Sequence, residues 1–199
     1  MISAVRGENT QKAGAETLIK RVRENLNRIK PFQIQFIQQV YTDEELSIEE
    51  SGEILFKDDR HLKWTYLKPD FKVFLLQEDD YKFYDQENGQ VTVGKIRDRG
   101  RQWLWQLFFS EDILRYSYMD QSSPGKIFIK KENVEEPLDI EIMLNNDYLP
   151  IQVIQHDFNT GARMIFYFSD YKEKISITGD TLTLKVPKDV EIVEETGNK

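Results

Sequence analysis

Four short apolar runs separated by polar turns occupy residues 52–85, and they constrain the fold more than any other feature of the sequence. The runs are Ile54–Lys57, Leu62–Leu67, Phe71–Gln77 and Tyr81–Tyr84. Each has the length of one β-strand and is rich in aromatic or branched residues, whereas the breaks carry Asp, Lys and Pro. The stretch therefore predicts a meander of antiparallel strands.

The alternation of side chains along these runs predicts which strands are buried on one face and which on both. In the second run the two faces differ, with Leu62, Trp64 and Tyr66 on one and His61, Lys63 and Thr65 on the other. In the third run, Phe71–Gln77, apolar residues occupy both faces. We therefore expect this strand to be buried on both faces, with a helix against one and a cavity against the other.

The rest of the chain continues the strand pattern. Further strands are predicted at Phe32–Val40, Ile48–Lys57, Val91–Val93, Lys126–Lys131, Leu138–Asn145, Leu149–His156, Arg163–Tyr171 and Thr181–Val186. Gly52 lies within one of them, where glycine often marks a bulge or bend. About ten or eleven strands in succession predict a mostly β (α+β) fold, in which the antiparallel sheet curls into an incomplete barrel.

Two helical regions are predicted to cover this sheet. Apolar residues recur at helical spacing from Ala15 until Pro31 ends the pattern: Leu18, Ile19, Val22, Leu26 and Ile29. A second, short helix within Trp103–Leu114 either fills the core or forms a lid. We expect a flexible segment at residues 1–14, a single domain at 15–193 and a flexible tail at 194–199.

Composition excludes several classes of function. The net charge of −8 argues against a nucleic-acid surface and against constitutive binding to an anionic membrane. The sequence contains no cysteine, so disulfides, thiolate metal sites, a cysteine nucleophile and a lipid-modified cysteine are excluded. No run of 18 apolar residues predicts a membrane-spanning helix, and no signal peptide is visible in this sequence.

Catalytic motifs are absent from the sequence. It has no P-loop, no GxSxG, no HExxH and no EF-hand loop, and its two histidines, His61 and His156, are predicted on a strand face and at a strand end. The acidic clusters at Asp43–Glu45 and Glu78–Asp80 fall in turns. We therefore expect no enzyme activity, no metal site and no cofactor.

More apolar surface remains than a thin sheet needs, and a curled sheet of this size can enclose an apolar ligand. Strand alternation predicts the side chains that face the interior: Ile34, Phe36, Trp64, Tyr66, Phe74, Leu76, Ile140, Ile142, Met164, Phe166 and Phe168. Trp103, Leu107 and Phe108 would cover them. All of these residues except Ile140 and Met164 form the candidate lipid-binding site.

Several motifs occur in a specific order along the chain. Phe32-Gln-Ile-Gln-Phe36-Ile-Gln38 follows the first helix, Trp64-Thr-Tyr66-Leu-Lys-Pro69 and Tyr84-Asp85 come later, and Leu182-Thr-Leu184-Lys-Val-Pro187 lies near the end. In their order and spacing, from about Ala15 to Val193, these motifs resemble the outer-membrane lipoprotein carrier family (LolA-type periplasmic chaperones).

The resemblance implies a monomeric periplasmic carrier that shields the acyl chains of triacylated lipoproteins between the inner and outer membranes. Its implied partners are the inner-membrane lipoprotein-releasing ABC transporter and an outer-membrane lipoprotein receptor. An alternative on the same half-barrel is an envelope sensor or a module that binds small hydrophobic molecules.

The sequence departs from the family at the residue that gates the lid. In the family, the arginine of an Arg-Pro pair before the Trp-x-Tyr strand hydrogen-bonds the lid. This chain has Asp58-Asp59 at those positions, and Arg60 follows. Either Arg60 takes over the gating role or this protein is open by default.

Overall fold

The computed structural model describes the backbone of residues 2–95, 116–119, 125–131, 138–157 and 160–195. Side chains are described for residues 14–95, 116–119, 125–130, 139–157 and 160–195. The second predicted helix, including Trp103, Leu107 and Phe108, lies outside these residues.

The described residues form one helix and twelve strands. Their bounds are α1 Ile2–Ile29, β1 Phe32–Thr42, β2 Glu45–Asp58, β3 His61–Lys68, β4 Lys72–Gln77, β5 Asp80–Asp85, β6 Gln90–Lys95, β7 Ser117–Tyr118, β8 Lys126–Lys131, β9 Leu138–Leu144, β10 Pro150–His156, β11 Arg163–Lys172 and β12 Glu191–Glu194. All twelve strands belong to one sheet, in the order β12-β6-β5-β4-β3-β2-β1-β11-β10-β9-β8-β7. The predicted fold class, a mostly β chain built on one long sheet, is confirmed.

Helix α1 begins at Ile2, so the start predicted at Ala15 is wrong. The extension was not predicted because residues 2–14 carry no apolar stripe at helical spacing. The stripe itself is buried as expected, since Ile19, Val22 and Leu26 are at most 1% exposed. The helix ends before Pro31, whose ring and missing N–H disfavour a further turn.

The chain divides into two compact units. The first comprises Met1–Arg28, Gln38–Glu49 and Trp105–Phe168, and the second comprises Ile29–Ile37, Glu50–Leu104 and Ser169–Lys199.

In the first unit, strands β8 to β11 align one apolar side chain each across the sheet. Ile127 pairs with Ile142, Ile142 with Val153, and Val153 with Phe166. All four are at most 4% exposed. Helix α1 is tied to this unit through Arg21, whose Nη1 donates to the Tyr148 hydroxyl.

In the second unit, β2 to β6 form the predicted antiparallel meander. Trp64 pairs with Ile54 on one side and with Phe74 on the other, and Phe74 pairs in turn with Phe83. Strand β4 is buried on both faces, as predicted, because its four central residues, 73–76, are at most 3% exposed.

The C-terminal segment covers the second face of this meander. Leu184, Val186 and Val190 pack against the buried cluster of Val73, Tyr84 and Val91. The carbonyl of Leu182 accepts a hydrogen bond from the Gln77 side chain at 3.1 Å.

This arrangement corrects two predictions, the strand at Thr181–Val186 and the helix against this face of β4. Residues Thr181–Val186 do not form a strand, and only β12 joins the sheet, parallel to β6. The alternation of Leu182, Leu184 and Val186 serves to pack the segment on the sheet face, and not to pair it with a neighbouring strand. In the described part of the second unit, this segment and not a helix lies on that face of β4.

Candidate functional site

The main candidate site is a surface of the second unit that we call the aromatic face. It is formed by the side chains that β1 to β5 direct to the side opposite the C-terminal segment, and its apolar members include Ile34, Phe36, Ile54, Phe56, Leu62, Trp64, Tyr66, Phe74, Leu76 and Tyr81. Side chains of alternate residues point to the same face of a strand, and residues paired across two strands share a face.

Three rings form the centre of the aromatic face. The ring of Phe36 meets Trp64 edge-on at 5.2 Å between centroids and Tyr66 at 5.1 Å. The rings of Trp64 and Tyr66 stack at 6.0 Å. Phe36 and Trp64 are 2% and 3% exposed, whereas Tyr66 is half-buried. Edge-to-face aromatic pairs add about 0.5–1.5 kcal/mol each to the stabilisation from burial.

A second group of rings continues the aromatic face toward β5. Phe74 stacks on Tyr81 at 5.6 Å, and Leu76 pairs with Tyr81 across the strands. The ring of Tyr81 lies over Gly94, where a Cβ atom would come within 2.8 Å of it. Gly94 therefore leaves the space that Tyr81 occupies.

The predicted lipid-binding residues fall into three groups. Six of them meet on the aromatic face: Ile34, Phe36, Trp64, Tyr66, Phe74 and Leu76. Ile142, Phe166 and Phe168 are buried in the first unit, where Ile140 and Met164, which were predicted only to face the interior, are buried and half-buried. Trp103, Leu107 and Phe108 lie outside the described residues. A lipid-binding role for all of them stays a prediction.

Arg60, the candidate for lid gating, lies in the exposed turn between β2 and β3. Its guanidinium pairs with the Glu78 carboxylate at 3.1 Å, and its carbonyl accepts a hydrogen bond from the Glu78 backbone N–H. The Arg60 backbone N–H donates to Asp58 at 3.0 Å. These contacts join two neighbouring turns, and the gating role stays a prediction.

One charged pair on the aromatic face was missed by the sequence reasoning. Lys72 Nζ donates to Glu50 Oε1 at 2.9 Å, and both side chains are mostly buried. Lys72 pairs across the sheet with Tyr66, so the ion pair spans β3 beside the Tyr66 ring. Strand alternation places Lys72 on the same face as Phe74 and Leu76, but it does not identify Glu50 as its partner.

The electrostatic environment of this pair follows from its contacts. The hydrogen bond to Glu50 raises the pKa of Lys72 although burial opposes it, and the nearby charges of Asp85 and Asp70 act in the same direction as Glu50. Burial raises the pKa of the Tyr66 hydroxyl, and the Glu50 charge raises it further. Lys72 is therefore cationic and Tyr66 neutral at physiological pH.

The histidines occupy the predicted kinds of position. On β3, the Nδ1 atom of His61 lies 2.7 Å from Oδ1 of Asp58, the last residue of β2. At the end of β10, the Nε2 atom of His156 lies 4.0 Å from Oε1 of Glu141. Among the residues that the structure describes, no group of three or more His, Asp or Glu could hold a metal ion. No helix in this part of the chain is long and apolar enough to cross a membrane.

A comparison with known proteins supports the resemblance to the lipoprotein carrier family that the sequence motifs indicated. No family model matches the chain. The outer-membrane lipoprotein carrier protein of Pseudoalteromonas translucida (strain TAC 125) is 25% identical over 185 residues, which cover 89% of this chain and 88% of that protein. The resemblance to the lipoprotein carrier family that the motifs indicated is confirmed.

Solved structures share the fold. An uncharacterized conserved protein from Thermus thermophilus aligns with a TM-score of 0.57 at 15% identity, covering 92% of this chain and 99% of that one. In the complex of MucA and MucB from Pseudomonas aeruginosa, the TM-score is 0.50 at 11% identity, covering 86% of this chain and 61% of that one.

Proposed function

We propose that the chain is a periplasmic carrier that shields the acyl chains of lipoproteins in an apolar cavity and moves lipoproteins from the inner to the outer membrane. In this role it performs no covalent chemistry. The observation that carries the proposal is the aromatic face, a continuous apolar surface on β1 to β5 in a chain similar to a lipoprotein carrier over 89% of its length.

The energetics of the aromatic face suit a carrier. Each methylene group moved from water into apolar surroundings contributes about 0.8 kcal/mol, so one long acyl chain contributes on the order of 10 kcal/mol. Phe36 and Trp64 are already almost fully buried. An entering acyl chain therefore replaces protein atoms that now cover these rings, and part of its binding energy is lost in displacing them.

The proposed partners follow from the transport route. The carrier receives triacylated lipoproteins from the inner-membrane lipoprotein-releasing ABC transporter and passes them to an outer-membrane lipoprotein receptor. We propose that it acts as a monomer. This route is proposed on the similarity to the carrier protein of P. translucida.

The test is retention of a lipoprotein in solution. A purified triacylated lipoprotein in detergent is diluted below the critical micelle concentration with or without the protein, and aggregation is followed by light scattering and sedimentation. We expect an equimolar amount of the protein to keep the lipoprotein soluble as a one-to-one complex. If the lipoprotein aggregates equally with and without it, the carrier function is wrong.

Neighbouring leucines of β4 provide a matched pair of variants. Leu76 lies on the aromatic face and Leu75 on the face covered by the C-terminal segment, and they are 3% and 2% exposed. Either change to alanine costs about 2–5 kcal/mol of stability. We expect only Leu76→Ala to weaken acyl binding, by about tenfold, because it removes contacts to the chain.

A second candidate function is a module that senses the envelope or binds a small hydrophobic molecule. The fold shared with MucB, which was solved in complex with MucA, favours this alternative. Native mass spectrometry of the protein purified from a lipid-containing host separates the two. A bound species of lipopeptide mass supports the carrier, whereas a bound small hydrophobe of lower mass supports the module.

A further inference from the structure

The ion pair of Glu50 and Lys72 stands out on a surface that is otherwise apolar and aromatic. Glu50 lies on β2 and Lys72 on β4, and their side chains meet across β3 next to Tyr66. Tyr66 in turn contacts Phe36, at the centre of the aromatic face. A ligand that lies along the aromatic face at Phe36 and Tyr66 therefore reaches the ion pair.

Stability does not account for a charged pair at this position. Moving two ions out of water costs several kcal/mol for each ion, and well-packed apolar residues of similar volume often stabilise a protein equally well or better. The neighbours Ile54, Trp64 and Phe74 show that apolar side chains fit this face. The pair is therefore a candidate for recognition of a polar group.

The hydrogen-bonding capacity of the pair defines what it can recognise. The Lys72 ammonium has three donors, and the Glu50 carboxylate has about four acceptor positions. Their mutual bond at 2.9 Å uses one of each. The pair can therefore give one hydrogen bond to a ligand oxygen and accept one from a ligand N–H.

The surrounding charge selects a neutral ligand. Lys72 lies in the field of three carboxylates, those of Glu50, Asp85 and Asp70. An anionic head group such as a free fatty-acid carboxylate would be repelled by this net negative charge. A secondary amide is neutral and carries one acceptor and one donor, which match Lys72 and Glu50.

We propose that Glu50 and Lys72 bind the amide group of an N-acylated ligand whose hydrocarbon chain lies along the aromatic face. This inference rests on the proposed function, because it assigns the polar end of the same acyl site. It makes the amide-linked acyl chain of a lipoprotein, and not an ester-linked chain or a free fatty acid, the one that this face holds.

The test compares three ligands with the same alkyl chain. N-ethyldodecanamide has a donor and an acceptor, ethyl dodecanoate only acceptors, and dodecanoate a negative charge. Their affinities are measured by displacement of a fluorescent fatty-acid probe below the critical micelle concentration. We expect the amide to bind about tenfold more tightly than the ester, as for one hydrogen bond to a charged group, and the carboxylate to bind most weakly.

Two sets of variants separate recognition from stability. The double variant Glu50→Leu/Lys72→Met leaves no unpaired charge, and we expect it to lose the preference for the amide over the ester. Glu50→Gln removes one of the three negative charges, and we expect it to bind dodecanoate about tenfold more tightly than the wild type does. A gain in binding cannot result from misfolding.

The matched control is Lys126→Met/Glu141→Leu, which replaces a half-buried lysine–glutamate pair with a 3.7 Å separation in the first unit. We expect it to keep the wild-type preference for the amide. Equal binding of amide and ester by the wild type, or an unchanged preference in the Glu50/Lys72 double variant, would overturn the amide site while leaving the carrier function intact. Failure of all three ligands to bind the wild type would reject acyl binding itself.

Discussion

Among the glycines that the structure describes, Gly52 is the one whose replacement by alanine should be most damaging. A Cβ atom at this position would lie 1.9 Å from the carbonyl oxygen of Thr65 and 2.9 Å from the Cα of Tyr66. Both atoms belong to the backbone of β3, which pairs with Gly52 beside a register shift at Ser51. Unlike a side chain, this backbone cannot rotate away, so β2 and β3 must separate to admit the methyl group.

The expected cost follows from what the separation disrupts. Forcing an additional methyl group into packed surroundings costs about 1–3 kcal/mol, and each ladder hydrogen bond lost adds about 1 kcal/mol. For one or two such bonds, Gly52→Ala should cost about 2–5 kcal/mol. A domain of this size loses about 2–4 °C in Tm for each kcal/mol. We therefore expect Tm to fall by about 4–20 °C.

The assay is urea unfolding at 25 °C followed by far-ultraviolet circular dichroism, with a thermal melt in parallel. Gly179→Ala is the matched control, since its Cβ atom would have no neighbour within 4 Å. We expect this control to stay within about 0.5 kcal/mol of the wild type. If Gly52→Ala unfolds within about 1 kcal/mol of Gly179→Ala, then β2 and β3 yield at little cost and the steric argument is wrong.

Two further predictions concern the second unit. Although burial opposes it, hydrogen bonds from the His61 ring and the Arg60 backbone N–H lower the pKa of Asp58. The stabilisation that the ionised Asp58 contributes is therefore complete above about pH 4 and is lost as the pH falls through the folded-state pKa of this carboxyl. We expect the difference in unfolding free energy between the wild type and Asp58→Asn to shrink below about pH 4. Leu184→Asp places a charge against the buried cluster around Val73, and we expect it to lower Tm and to increase binding of the dye ANS; an unchanged melt would contradict the packing role of the C-terminal segment.

The meander of residues 52–85 was predictable because its signals are local. The turns and the alternation placed strands at Leu62–Leu67 and Tyr81–Tyr84, and the structure has them at His61–Lys68 and Asp80–Asp85. The same kind of alternation led to the wrong prediction of a strand at Thr181–Val186. Alternating apolar residues are needed both by a strand in a sheet and by an extended segment lying on a sheet face, and only the surrounding fold decides between them.

The candidate site was predictable where it depends on alternation within single strands, but not where it depends on the pairing between strands. Parity along each strand predicted that Phe36, Trp64 and Tyr66 share a face, and their rings do meet there. The ion pair was missed because Glu50 and Lys72 are 22 residues apart on strands that are not adjacent in the sheet. Finding it requires the register of two successive hairpins, including the shift at Ser51, which the pattern of residues does not supply.

The proposed carrier function places a thermodynamic condition on the aromatic face. If the face bound an acyl chain with the whole of the roughly 10 kcal/mol available from burial, release to a receptor would be too slow for transport. The present burial of Phe36 and Trp64 moderates this, because the apolar contacts that the rings make with protein are exchanged for contacts with the ligand. The net gain from the hydrocarbon chain is therefore lower than about 10 kcal/mol, and the proposed hydrogen bonds to Glu50 and Lys72 would form a larger share of the discrimination between ligands. A polar pair on an apolar face thus allows a carrier to be selective for its cargo while still releasing it.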